Sequence, residues 1–219
     1  MSETRILIAD DHEVVRRGLR AILEAQSGWV VCGEASTGRD ALEKTKRLKP
    51  DVAILDISMP ELNGLDATRQ IRKEVPNTQV LVLTVHESDV LVRQLLSAGA
   101  KGYLLKSDAG GELVAAVESV LQRKPFFTAK VAERVLDGYL KGVNNGEETG
   151  ESAGGALTHR EREVVQLLAE GKTTKEVAAL LSISIHTAET HRANIMQKLH
   201  LHSLSEIVRY AIRNNLVTP

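Results

Sequence analysis

The chain has 219 residues, 42% of them hydrophobic and 26% charged, with a formal net charge of −1, a composition that supports one or two folded domains and excludes disorder throughout. Its single cysteine, Cys32, excludes an internal disulfide and suits a reducing compartment. No apolar run approaches the roughly 18–20 residues that span a bilayer, and no signal peptide follows Met1, so a cytoplasmic protein without a membrane partner is expected.

Five short apolar runs recur about every 25 residues along the first half: Ile6-Leu7-Ile8-Ala9, Val30-Val31-Cys32, Val52-Ala53-Ile54-Leu55, Val80-Leu81-Val82-Leu83 and Tyr103-Leu104-Leu105. They read as buried parallel strands, with Cys32 a small core residue. Between them lie helically spaced apolar residues, such as Val14, Leu19, Ile22 and Leu23, and later Leu91, Leu95 and Leu96. Strand alternating with helix predicts an α/β fold with a doubly wound, five-stranded parallel sheet. Its site should lie beyond the carboxyl ends of the strands.

Those ends carry chemistry. Asp10 and Asp11 follow the first strand, Asp56 the third; Thr84 ends the fourth and Lys106 follows the fifth. If the first and third strands are neighbours, three carboxylates converge, and a hard cation such as Mg²⁺ or Mn²⁺ answers their repulsion. The alternative also stands: Asp10 or Asp11 caps the helix beginning near Glu13, and Asp56 opens a turn before Met59-Pro60. His12 and His86, near the same rim, read as surface residues.

Farther along, Val131, Val135 and Tyr139 form a helical stripe, and residues 142–155 are rich in glycine and poor in apolar residues, a flexible tether. The expected divisions are 1–125, a linker helix and tether over 126–156, and 157–219.

Thr158-x-x-Glu161, Thr173-x-x-Glu176 and Ser203-x-x-Glu206 match the capping-box pattern, and Ser184 can cap a further helix. Gly171 closes the first of these helices, and Ser182-Ile183-Ser184 connects the second and third. A second, smaller, all-α domain of four helices follows, containing a helix-turn-helix. It holds 8 Lys/Arg against 6 Asp/Glu and five of the seven histidines. Over residues 185–199, Ala188, Ile195 and Leu199 share a face with His191 and should pack on Val177, Leu180 and Leu181. His186, Glu189, Thr190, Arg192, Ala193 and Asn194 face outward, and such a helix can enter a DNA major groove. Arg192 could read guanine or grip phosphate and Glu189 accept from cytosine; His186, Thr187, Thr190 and Asn194 complete the reading set, while Lys172, Lys175 and Lys198 bind backbone. So small a positive balance offers few phosphate contacts, so two modules on paired half-sites, hence a dimer, are expected.

Residues 1–125 resemble the receiver domain of bacterial two-component response regulators, on Asp10-Asp11, Asp56-Ile57-Ser58-Met59-Pro60 with Gly64 following, Thr84, Tyr103 and Lys106. Residues 157–205 are similar to the LuxR-type helix-turn-helix, on Leu157-Thr158-His159-Arg160-Glu161-Arg162-Glu163-Val164-Val165, Ala169-Glu170-Gly171-Lys172, Glu176-Val177-Ala178, Ile183-Ser184, Thr187-Ala188-Glu189-Thr190-His191 and Lys198-Leu199. The pair resembles the NarL/FixJ class of transcriptional regulators.

That resemblance implies a flavodoxin-like receiver in which Asp56 accepts a phosphoryl group from a sensor histidine kinase. Asp10, Asp11, Asp56 and the Ser58 carbonyl would hold Mg²⁺, Lys106 would neutralise charge, and Thr84 with Tyr103 would form the switch. It further implies double-stranded promoter DNA as partner, a homodimer when phosphorylated, relief of receiver inhibition of the helix-turn-helix, and no substrate turnover. A carboxylate is a chemically sound phosphoryl acceptor. A haloacid dehalogenase-like phosphatase would need an aspartate where Ser58 stands. A DNA-binding or interaction module indifferent to phosphorylation is the competing expectation. The sequence departs from the family pattern at Ser107 and His159, where proline is common, at Ser182, where glycine is frequent, and at Ala188 and His186, where valine and lysine are usual.

Overall fold

The computed structural model describes residues 3–85, 89–128 and 157–217. The stripe of Val131, Val135 and Tyr139, the glycine-rich tether and His86 lie outside the described residues. The chain divides into two compact units.

In the first unit the order is β1 (Thr4–Ala9), α1 (Glu13–Glu24), β2 (Trp29–Ala35), α2 (Gly38–Leu48), β3 (Val52–Asp56), α3 (Gly64–Glu74), β4 (Gln79–Thr84), α4 (Asp89–Ser97), β5 (Gly102–Leu105), α5 (Ala109–Leu121) and β6 (Phe126–Phe127). The strands form one parallel sheet in the order β2-β1-β3-β4-β5-β6. The sheet therefore has six strands, against the five expected. The sixth spans two residues paired with β5, too short to leave a periodic trace in the sequence.

The central strands are apolar along their length because both faces are covered. Ile6 and Ile8 of β1, Val52 and Ile54 of β3, Leu81 and Leu83 of β4 and Leu104 of β5 form one cluster with Leu19 and Leu23 of α1 and Leu113, Ala116, Val117 and Val120 of α5. Residues alternating with these, Leu7, Ala53, Leu55, Val80 and Val82, are equally buried and face the opposite layer. Removing each such Leu, Ile or Val from water contributes about 1.5–3 kcal/mol. Val14, grouped by spacing with the α1 stripe, is instead 83% exposed. It stands five residues before Leu19, a step that carries it off the face holding Val15, Leu19, Ile22 and Leu23.

The second unit contains α6 (His159–Ala169), α7 (Thr174–Leu180), α8 (Ile185–Lys198) and α9 (Leu204–Arg213). Thr158 with Glu161 and Thr173 with Glu176 make full capping boxes. Ser184 accepts from the Thr187 backbone N–H and starts α8. At α9 only half of the expected box forms. Ser203 accepts from Glu206 N–H, but the Glu206 carboxylate takes the His202 N–H at 2.5 Å instead of that of Ser203. Gly171 has φ +83° and Ser182 φ +53°, so both turns use the left-handed region. Val164, Leu168, Val177, Leu181, Ala188, Ile195, Ile207 and Ala211 form the core. Among the described residues, no helix is long and apolar enough to cross a membrane.

Candidate functional site

Strand order alone brings the acidic residues together. Ala9 pairs with Leu55 across β1 and β3, so Asp10 and Asp56 are the next residues on adjacent strands. Asp56 pairs with Leu83 of β4, and Thr84 pairs with Leu105 of β5, just before Lys106. The sequence order reverses at β1, and such a switch point opens a crevice at the carboxyl ends.

Lys106 Nζ lies 2.7 Å from Asp10 Oδ2 and 3.0 Å from Asp56 Oδ2. Asp10, Asp56 and Thr84 are buried, while Asp11 is exposed. Asp10, Asp11, His12 and Asp56 each place one ligand atom within 4.8 Å of the others. His12, read from sequence as a surface residue, thus belongs to the cluster. Its ring is largely exposed, yet Nδ1 sits 2.6 Å from Asp11 Oδ1 and 3.3 Å from Asp10 Oδ1. Its position directly after the aspartate pair was the available signal.

The capping alternative does not hold for α1. Its N-cap is His12, with no side-chain cap bond, and Asp10 Oδ1 accepts from the His12 N–H at 2.9 Å. Asp56 Oδ1 accepts from the next backbone N–H, of Ile57, at 2.8 Å, and keeps its second oxygen toward Lys106.

Burial pushes the Asp56 carboxyl above its ordinary 3.8, and the charge of Asp10 adds to this while Lys106 opposes it. For Lys106, burial works against the ammonium, but Asp10 and Asp56 outweigh it and hold the group above its ordinary 10.5. Two buried carboxylates thus share one ammonium, with the Asp11 carboxylate in the same cluster. All-oxygen donors of this kind, partly withdrawn from water and with surplus negative charge, fit a hard divalent cation. Asp10, Asp11 and Asp56 are the side chains that could hold it. Ser58, half-buried, lies two residues past Asp56.

The loop after Asp56 closes tightly. The Gly64 N–H donates to the Ile57 carbonyl at 2.8 Å, and a Cβ on Gly64 would stand 2.1 Å from the Asp56 carbonyl oxygen. Only glycine permits that approach. Tyr103 is 1% exposed, buried outright, and by the register of β4 with β5 it shares a sheet face with Thr84.

In the second unit, α8 buries Ala188 and Ile195 and leaves Leu199 and His191 half-buried. His186, Thr187, Glu189, Thr190 and Asn194 are exposed, and Arg192 is half-buried; Lys175 is exposed and Lys172 half-buried. Lys198, exposed as well, also has a partner within the unit. Its Nζ is held at 2.7 and 2.8 Å from the two carboxylate oxygens of Glu161, tying the end of α8 to the start of α6 because Glu161 is buried and needs a cation. Burial would raise the Glu161 carboxyl, but Lys198 and the Thr158 N–H outweigh it and hold it below its ordinary 4.5.

Residues 6–118 match the family of response regulator receiver domains, and residues 155–211 match the bacterial regulatory proteins of the luxR family. The chain is 40% identical over 215 residues to the transcriptional regulatory protein LiaR of Bacillus subtilis (strain 168), covering 97% of this chain and 99% of LiaR. Among solved structures it is similar to the RcsB response regulator of Salmonella typhimurium, at 27% identity and a TM-score of 0.62, over 96% of this chain and 97% of that one. It is also similar to RcsB in an RcsB–DNA complex, at 26% identity and a TM-score of 0.58, covering 95% and 98% of the two chains.

Proposed function

Because the chain belongs to the two-component response regulators that carry a LuxR-type DNA-binding domain, with transcriptional regulators as relatives, we propose that Asp56 is the phosphoacceptor of a magnesium-dependent switch controlling binding to promoter DNA. Domains over 1–125, extended by β6 of the same sheet, and over 157–219 divide the two tasks. The observation that carries the reading is the Asp56 carboxylate at the end of β3 with Lys106 Nζ 3.0 Å away and Asp10 beside it.

In this reading Asp10, Asp11, Asp56 and the Ser58 carbonyl hold Mg²⁺, which supplies charge neutralisation on a transferring phosphoryl group. An Asp56 oxygen forms the new bond to phosphorus, the phosphorus–nitrogen bond of a phosphohistidine on a sensor kinase breaks, and the electron pair leaves with the imidazole. Lys106 holds its positive charge against the phosphoryl oxygens. The Thr84 hydroxyl then donates to one of them, and Tyr103, on the same sheet face, repacks in response. A phosphoryl group adds about −1.5 to −2 charges, enough to bias a two-state element.

The output is relief of inhibition and dimerisation on paired half-sites. α8 enters the major groove with His186, Thr187, Glu189, Thr190, Arg192 and Asn194, and Lys172 and Lys175 grip phosphates. Similarity to a regulator solved with DNA and the exposure of His186, Thr187, Glu189, Thr190, Asn194 and Lys175 support that half.

A small acyl phosphate and MgCl₂ should add one phosphoryl mass to the wild-type chain and none to Asp56→Asn, and should raise affinity for a promoter fragment together with the dimer fraction. A labelled Asp56→Asn chain would reject the acceptor assignment; labelling without change in affinity or oligomeric state would reject the coupling.

A further inference from the structure

Three of the four polar atoms of Asp10 are hydrogen-bonded, and the fourth, Oδ2, meets an ammonium as an ion pair. Its N–H donates to the Ala35 carbonyl at 3.1 Å, Oδ1 accepts from His12, Oδ2 faces Lys106, and its carbonyl accepts from Arg16 Nη1 at 2.8 Å. The last bond is a side chain's work, because β1 ends at Ala9 and the Asp10 carbonyl lies past the ladder. Arg16 is itself held. Its Nε donates to Glu34 Oε2 of β2 at 3.2 Å, while Arg20 Nε takes the other oxygen of Glu34 at 2.6 Å. Both Arg16 and Glu34 are largely withdrawn from solvent, their side chains being 15% and 28% exposed. A planar guanidinium suits the task, since its separate N–H groups can serve Glu34 and the carbonyl at once.

We propose that Arg16, clamped by Glu34, is a positioning residue that fixes the Asp10 carbonyl and thereby the angle at which the Asp10 and Asp11 carboxylates meet a divalent cation. The inference rests on the cation-binding reading of the pocket given above. Supporting groups behind ligating carboxylates set metal affinity because an orientation that drifts loses the geometry of the ligand set. Apart from Arg16, α1 is also docked by Leu19 and Leu23, which are buried in the core. Arg17, next along the helix, offers the contrast: 76% exposed, it pairs only on the surface with Glu13.

Calorimetric titration of MnCl₂ and of MgCl₂ into the EDTA-dialysed full chain tests this, with urea midpoints measured in parallel. Arg16→Ala should weaken cation affinity by about tenfold, and Glu34→Gln and Arg16→Lys by several-fold, the lysine failing to serve both partners. Arg17→Ala should bind as wild type. Affinity within twofold of wild type in the Arg16 variants would overturn the inference while leaving the pocket assignment intact, as would a lowered urea midpoint with unchanged affinity. If Arg16→Ala does not fold, Arg16→Lys and Glu34→Gln decide on the same criterion. Failure of the wild-type chain to bind either cation would overturn the pocket reading, and this inference with it.

Discussion

The Lys106 ammonium stands 3.0 Å from the Asp56 carboxylate although the two lie at the ends of strands that do not touch, since β4 runs between β3 and β5. Lys106 reaches across that strand and also serves Asp10, so one cation answers two buried anions. The surplus negative charge is the physical root of the pocket's behaviour.

Removing that surplus should stabilise the metal-free chain. Burial, aided by Asp10, raises the Asp56 carboxyl above 3.8. A raised carboxyl contributes stability that is fully present below the unfolded value and is lost as pH rises through the folded one. At neutral pH in EDTA, Asp56→Asn should therefore unfold at higher urea than wild type, by about 1 kcal/mol with unchanged m-value. Millimolar Mg²⁺ should raise the wild-type midpoint more than that of the variant. A lower midpoint for the variant in EDTA would contradict this.

Gly64→Ala should damage the pocket. The added methyl would stand 2.1 Å from the Asp56 carbonyl oxygen and 2.9 Å from the Ile57 Cα, both backbone atoms, so the loop must shift. A loss of about 1–3 kcal/mol, typical of overpacking, should accompany slower phosphoryl uptake. Wild-type labelling rate and midpoint in this variant would refute the tight approach.

The Glu161–Lys198 pair should make the second unit acid-sensitive. The Glu161 carboxyl is held below 4.5, so its contribution is present above that value and lost as pH falls through the lower, folded one. Glu161→Gln retains a side chain able to complete the capping box but lacks the charge. Between about pH 6 and pH 3.5, wild type should lose more urea stability than Glu161→Gln; equal losses would show that the pair contributes nothing.

Lys198 and Lys175 should separate in a DNA titration against salt. Lys175 is exposed and, if it neutralises a phosphate, Lys175→Ala should reduce the slope of log affinity against log salt by about 1. Lys198, engaged by Glu161, should leave that slope unchanged when replaced by alanine. Equal slope losses would put Lys198 back among the phosphate contacts.

Ser182→Gly should stabilise the helix-turn-helix. Ser182 holds φ +53°, a conformation that costs an L-residue about 1–2 kcal/mol, and its side chain is exposed. A gain of roughly 0.5–1 kcal/mol, reduced by glycine's greater freedom when unfolded, should appear as a higher unfolding midpoint.

Much of the fold was legible because its signals are local. The runs at Ile6, Val52, Val80 and Tyr103 become strands, and Thr158, Thr173 and Ser184 cap the helices they precede. Reading failed where local pattern and three-dimensional competition part. Val14 is apolar but off the packed face, Phe126–Phe127 is too short for a period, and Glu206 prefers the His202 N–H to that of its own N-cap.

By itself the sequence determined that Asp10, Asp11, Asp56, Thr84 and Lys106 fall at strand ends, because strand periodicity and punctuation are written within a few consecutive residues. Only the tertiary structure decided that β1 lies beside β3, that Lys106 bridges Asp10 and Asp56, that His12 and Arg16 attend the acidic pair, and that Lys198 belongs to Glu161. Those partnerships join segments remote along the chain. Each is settled by which buried charge or carbonyl lies within reach once the layers have packed, and no local pattern carries that information.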